Sequence, residues 1–91
     1  MKELEIFLEK EFGKSLGLRH NMEELFNRID SDTSKVIMNF ENVEFIGRSS
    51  AQEYLNQKHF ASFEVIEKTV PRDVQKMFDI ILEQNNKKIA R

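Results

Sequence analysis

The adjacent residues Ser49 and Ser50 are the strongest candidates for a chemical role in this chain, because they follow Gly47 and Arg48 where a helix is expected to begin. The N-terminus of a helix is the positive end of its dipole. A hydroxyl there can cap the helix, contact a partner, or accept a phosphate that adds about −1.5 to −2 charge. The sequence leaves these three roles open.

Local capping is the simplest of these roles. Ser50 with Glu53 fits a capping box, and Ser49 with Gln52 fits the alternative register, each cap stabilising the helix by about 1 kcal/mol. Arg48 could then pair with a nearby carboxylate such as Glu44 or Glu53. The residues proposed to contact a partner or accept a phosphate are Arg48, Ser49, Ser50 and Glu53.

Other reactive combinations fail on spacing. Gly13-Lys14-Ser15 resembles the end of a phosphate-binding loop, but the required earlier glycine is replaced by Leu8. His59 follows Ser49 by ten residues, about 15 Å along one helix, which is too far for a nucleophile and its base. The histidines are not spaced to share a metal and cysteine is absent, so we predict no catalytic, cofactor-binding or metal-binding residues.

Charge and composition restrict the class of protein. Fourteen basic and sixteen acidic residues are interspersed, which argues against nucleic acid as a partner. The absence of cysteine favours an intracellular setting. Neither a basic leader nor a long apolar run is present, so we expect a cytoplasmic protein without a membrane contact.

The length of 91 residues predicts a single domain, residues 1–91, with a core small enough that either a monomer or a homodimer is reasonable. The last residues, 84–91, contain Lys87, Lys88 and Arg91, and we predict a flexible basic tail there. Exposed Phe12, Phe60 or Phe63 would favour a homo-oligomeric subunit.

Hydrophobic periodicity predicts alternating strands and helices. Leu4, Ile6 and Leu8 alternate with glutamates as in a strand, whereas segment 11–19 fits either a strand or a loop. Apolar residues at helical spacing from Met22 to Ile29 predict a helix, with Asn21 and Glu24 as a capping pair. The apolar run from Val36 to Phe40 indicates a strand covered on both faces.

The second half of the chain continues the alternation. A helix is expected from the serines to about Lys58, a short strand at residues 63–66, and a last helix opened by Pro71. We therefore predict an α/β fold with a small mixed or mainly parallel sheet and helices packed on it.

The pieces from Val36 to Glu53 resemble STAS domains, the fold of bacterial anti-sigma-factor antagonists, and more closely the STAS-like family of unknown function. A hydrophobic strand ends in Glu41-Asn42, passes Val43-Glu44-Phe45-Ile46 and enters a helix through Gly47-Arg48-Ser49-Ser50. In the STAS-like group an Arg-Ser pair followed by Ala and an acidic residue is typical. The specific motif covers about twenty residues, and the order of elements covers most of the chain.

The resemblance implies a STAS-like fold and a protein partner, either an anti-sigma-type kinase or another regulator. The hydroxyl that antagonist STAS domains present for phosphorylation corresponds to Ser49. Gly47, Arg48 and Ser50 replace that motif's Asp, first Ser and Gly. The resemblance does not imply a cofactor.

The sequence thus favours a non-enzymatic interaction module in a prokaryotic regulatory circuit, with residues 47–54 as the contact surface and phosphorylation at Ser49 as a hypothesis. The alternative is a small enzyme or ligand-binding domain with its site beyond the carboxyl ends of the strands. A deep pocket holding His20 beside Ser49 would favour that alternative.

Overall fold

Strands and helices alternate along the chain in a computed structural model that describes the backbone of residues 2–89 and the side chains as far as Gln84. The elements are β1 (Lys2–Phe7), α1 (Leu8–Phe12), β2 (Ser15–Leu16), α2 (Arg19–Asn27), β3 (Thr33–Asn39), β4 (Phe45–Ile46), α3 (Arg48–Phe60), β5 (Glu64–Lys68) and α4 (Arg72–Ile89).

The main sheet is parallel and has the strand order β1-β3-β5. A second, two-residue parallel ladder joins β2 to β4. The α/β class with a small parallel sheet is therefore confirmed. When successive parallel strands are added in one direction through right-handed crossovers, the connecting helices fall on the same face of the sheet.

One face of the sheet forms the core. Leu4, Val36 and Val65 form one row of neighbours across the three strands, and Ile6, Met38 and Glu67 form the next. Val36 and Met38 on the central strand are completely buried. The sheet positions in these two rows are apolar except for Glu67.

Tyr54 explains why a carboxylate is tolerated in that core row. Its hydroxyl donates to Glu67 Oε2 at 2.7 Å, and Lys58 Nζ lies 3.0 Å from the other carboxylate oxygen. Burial, and then the charge of Glu67, raise the pKa of Tyr54 well above its ordinary value. These contacts fix α3 against β5.

Aromatic rings join the helices in the same layer. The ring of Tyr54 packs edge-on against Phe26 of α2 and Phe40 at the end of β3, and stacks with Phe78 of α4 at 5.3 Å between centroids. Three helices therefore meet over one face of the sheet.

The prediction that β3 is covered on both faces is confirmed only in part, because on the face opposite the helices Asn39 is 3% exposed but Ile37 is not fully covered. Val36 and Met38 are buried under the helices, but Ile37, which points to the opposite face, is only half-buried and does not belong to the core. Continuous apolar sequence indicated cover on both sides, whereas the strand order places the helices on one side only.

The N-terminal third differs from the prediction in two places. Leu8 begins the short helix α1 instead of ending a strand, and segment 11–19 contains the end of α1, the strand β2 and a connecting loop. Helix α2 begins at Arg19 with Leu18 at the N-cap and no side-chain cap, so Asn21 and Glu24 are not a capping pair.

Helix α4 begins directly after Pro71, close to the predicted start. It continues to Ile89, so most of the segment predicted as a tail, including the backbone of Lys87 and Lys88, is helical. Arg91 lies outside the described residues. Val74, Phe78 and Ile81 on α4 are all buried in the core.

Candidate functional site

The start of α3 is held by the small β2–β4 ladder. The chain leaves β3 and turns at Asn42, whose φ of 66° is in the left-handed region that Asn tolerates. It then pairs Phe45 and Ile46 with β2, and the N–H of Gly47 donates to Leu16 O at 2.9 Å. Gly47, the residue directly before the candidate residues, is therefore anchored to β2.

Neither serine caps the helix, which corrects the capping assignment. The N-cap is Gly47, in an extended conformation and without a side-chain hydrogen bond, so Arg48, Ser49 and Ser50 are the first three residues inside the helix. Their N–H groups precede the first i→i−4 bond, which Ala51 N–H donates to Gly47 O at 2.9 Å. The first turn thus presents amide donors that no cap side chain satisfies.

The two serines have opposite environments. Ser49 is exposed, whereas Ser50 is completely buried. In the described part of the chain, the Ser50 hydroxyl oxygen has no hydrogen-bond partner. Only Ser49 is accessible to a kinase or to a docking protein from its place in this fold.

Arg48 is exposed and reaches across to α4. Its guanidinium Nη2 donates to Gln84 Oε1, not to Glu53. Since the partner is a neutral amide, the positive charge of Arg48 is not neutralised by that contact.

Glu53 faces the protein interior. It is 7% exposed and accepts hydrogen bonds from Gln57 Nε2 at 2.8 Å and Arg19 Nε at 3.0 Å. The Gln57 hydrogen bond and then the Arg19 contacts hold the pKa of Glu53 below its usual value, although burial opposes them. Glu53 therefore joins α3 to α2, and of the four candidate residues only Arg48 and Ser49 are on the surface.

Exposed apolar side chains surround this helix start. Phe45, two residues before Gly47, is 52% exposed. Leu18 is 66% exposed and follows Gly17, which is so close to Gly47 that a Cβ on Gly47 would lie 3.7 Å from the Gly17 Cα. Ile80 on α4 is 46% exposed and lies one turn before Gln84, the residue that binds Arg48. We call Leu18, Phe45, Arg48, Ser49 and Ile80 the α3-start surface.

Sequence reasoning missed the apolar members of this surface. In the stretch from Val43 to Ile46, Val43 and Ile46 are buried while Phe45 points outward. That spacing of three follows from the turn before β4. The sequence gives little indication that Leu18 belongs to a contact surface, because it is a single apolar residue next to a glycine.

The pocket that would favour an enzyme is not formed by the predicted residues. His20 is exposed on α2, where its Nε2 lies 3.2 Å from Glu24 Oε1. A cavity of about 660 Å³ is lined by Glu11, Phe12, Asn21, Glu24, Asn27 and Arg28, and a second of about 310 Å³ lies between β1 and α2. Neither includes His20 or Ser49.

Two further searches concern the described residues only. Among them, no group of three or more His, Asp or Glu side chains is arranged to hold a metal ion. None of their helices combines the length and apolar character needed to cross a membrane.

Comparison with known proteins found no matching family model, no matching curated protein and no matching solved structure.

Proposed function

We propose that this chain is a non-enzymatic, STAS-like interaction module of a cytoplasmic prokaryotic regulatory circuit. A protein partner docks on the α3-start surface, and the charge at Ser49 controls that docking. By resemblance, the partner is an anti-sigma-type kinase or another regulator.

The observation that carries the proposal is the composition of the surface. Exposed Leu18, Phe45 and Ile80 lie around a helix start that also presents amide donors and the charge of Arg48. Apolar side chains with a polar and charged rim are typical of protein–protein contacts. Aromatic and arginine side chains contribute most of the binding energy in many such contacts.

The environment of Ser49 supports control by charge. A phosphate on this exposed hydroxyl would lie in the first turn of a 13-residue helix, next to Arg48 and at the positive end of the dipole. The module would tolerate the charge, so the effect would fall on the partner. An acidic partner surface would be repelled, and an arginine-rich one would be attracted.

Affinity capture from a lysate of the native organism tests the proposal. The baits are the wild type, Phe45→Lys, Ser49→Asp and, as a matched control, Phe60→Lys. Phe60 is 82% exposed at the opposite end of α3, so its replacement changes charge and exposed apolar area in the same way.

We expect at least one protein, identified by mass spectrometry, to bind the wild type and Phe60→Lys but to be reduced about tenfold or more with Phe45→Lys. A change with Ser49→Asp would support control by charge. Equal capture by the wild type and Phe45→Lys would contradict the assignment of the docking surface.

A further inference from the structure

The face of the main sheet opposite the helices carries a regular pattern of side chains. The strand register places nine residues there in three rows across β1, β3 and β5. The first row is Glu3, Lys35 and Glu64, the second is Glu5, Ile37 and Ile66, and the third is Phe7, Asn39 and Lys68. We call these nine residues the outer face.

The described helices leave most of the outer face open, although Asn39 is 3% exposed and Lys10 of α1 lies over the ring of Phe7. Phe7, Ile37 and Ile66 are absent from the core and from the partly buried side chains packed against it, and Ile66 is 37% exposed. Parallel sheets are almost always covered on both faces. A largely open parallel face with two isoleucines in its middle row is therefore a candidate for contact with another molecule.

Charges on the outer face are held at defined positions. Glu5 accepts a hydrogen bond from Asn39 Nδ2 at 2.9 Å and lies 3.6 Å from Lys68 Nζ. Glu64 is exposed at the other end of β5, four residues before Lys68. Strand β5 thus carries a negative end and a positive end on either side of Ile66.

We propose that a second copy of this chain packs on the outer face, with its strands antiparallel to those of the first. A twofold axis along the middle row brings Ile37 and Ile66 of each copy together. It also places Glu5 over Glu5, where each carboxylate is paired with Lys68 of its own copy. The same axis places Glu64 of one copy over Lys68 of the other, twice, so the charges at the two ends of β5 are complementary.

The other twofold arrangement of two stacked sheets is unfavourable. An axis along the strands would place Lys35 over Lys35 and Glu3 over Glu64, so like charges would oppose each other. The charge pattern therefore selects a second copy in the antiparallel orientation. Phe12 and Phe63 cannot supply this contact, because both pack against the core.

The size of the face sets the strength of the contact. Three strands about 4.8 Å apart and five residues with a rise of about 3.3 Å cover roughly 200–250 Å². Stable complexes bury about 800 Å² per partner. We therefore expect a weak dimer, with a Kd of about 10⁻⁵ to 10⁻³ M.

Sedimentation equilibrium of the full chain between about 10 µM and 1 mM tests this proposal by charge exchange. Glu64→Lys and Lys68→Glu should each weaken dimerisation about tenfold, because each converts two attractive pairs into two repulsive ones. The double variant Glu64→Lys/Lys68→Glu should restore part of the affinity, since it keeps the charges at the two ends of β5 complementary but leaves Glu5 without its Lys68 partner.

The matched controls are Lys76→Glu and Asp79→Lys, which reverse exposed charges on α4 and should leave the Kd unchanged. Circular dichroism of each variant establishes that it is folded. A monomer at every concentration would overturn the proposal, and so would a dimer that tolerates the single reversals or is not partly restored by the double variant. The test is independent of Phe45, so it can fail without affecting the proposed docking at α3.

Discussion

At the scale of single residues, Ser49 and Ser50 have different environments and therefore different roles, one on the surface and one in the core. Ser49 is exposed in the first turn of α3, while the buried Ser50 hydroxyl has no partner among the described residues. A buried hydroxyl without a hydrogen bond costs free energy that an apolar replacement of similar size would recover. Ser50 therefore belongs to the core, and Ser49 is the serine that can contact a partner or accept a phosphate.

Alanine substitution distinguishes this assignment from capping. Ser49→Ala should change the free energy of unfolding by less than about 0.5 kcal/mol, whereas loss of a true N-cap serine costs about 1 kcal/mol. Ser50→Ala should raise stability by up to about 1 kcal/mol, because it removes the unsatisfied hydroxyl. Urea unfolding measures both changes. A loss of about 1 kcal/mol or more with Ser49→Ala would return that serine to a capping role.

The residue pattern explains why this division was not predictable. Both serines fit capping boxes by spacing, and spacing does not reveal which residue leaves the helical conformation first. Gly47 takes that position because its N–H bonds to Leu16, through a β2–β4 ladder formed by residues far apart in sequence. Tertiary contacts, and not the local sequence, therefore determine which residue is the N-cap of α3.

At the scale of elements, the position of α3 depends on contacts with both α2 and β5. Arg19 of α2 donates to Glu53 of α3, and Tyr54 of α3 donates to Glu67 of β5. Within α3, Gln57 donates to the other carboxylate oxygen of Glu53. The α3-start surface is consequently carried by a helix that is fixed at its second turn. A rigid support of this kind reduces the entropy lost when a partner binds.

The hydrogen bonds that Glu53 accepts from Gln57 and Arg19 predict a pH dependence of stability. Because the folded pKa of Glu53 is lowered, its contribution to stability is present above its unfolded pKa and is lost as pH falls through the folded pKa. Glu53→Gln should therefore destabilise by about 1 kcal/mol at pH 7, and the difference from wild type should shrink on acidification. Urea unfolding of the wild type and Glu53→Gln, at pH 7 and at successively lower pH, measures this difference in stability.

Glu23→Gln is the matched control, because Glu23 also approaches Arg19 Nε, at 3.6 Å, but is more exposed. Its effect should be below about 0.5 kcal/mol. A destabilisation by Glu53→Gln that stays constant with pH would show that packing, not ionisation, accounts for the contribution of Glu53.

Elements with a long periodic pattern were predictable, whereas short ones were not. The stripe of Val74, Phe78 and Ile81 indicated α4, because these residues recur at helical spacing and are buried in the core. Helix α1 has five residues and β2 has two, too few to show a period. Their existence depends on packing against the rest of the chain.

At the scale of the whole molecule, strand order has the largest consequence. The order β1-β3-β5 places the helices on one face and leaves Ile37 and Ile66 on the other. Local sequence predicted an apolar central strand correctly, but it contains no information on which strands are neighbours. The molecule therefore has two separate surfaces, the outer face of the sheet and the α3-start surface in the helical layer.

Site-specific photo-crosslinking in the native organism tests the central claim, docking at the α3-start surface, most directly. A photoreactive phenylalanine replaces Phe45 in one strain and, as the control, Phe60 in another. We predict that position 45 crosslinks to one protein other than this chain, that position 60 does not, and that Ser49→Asp changes the yield at position 45. Crosslinking of the same protein at position 60 alone, or of none at position 45, would contradict the account.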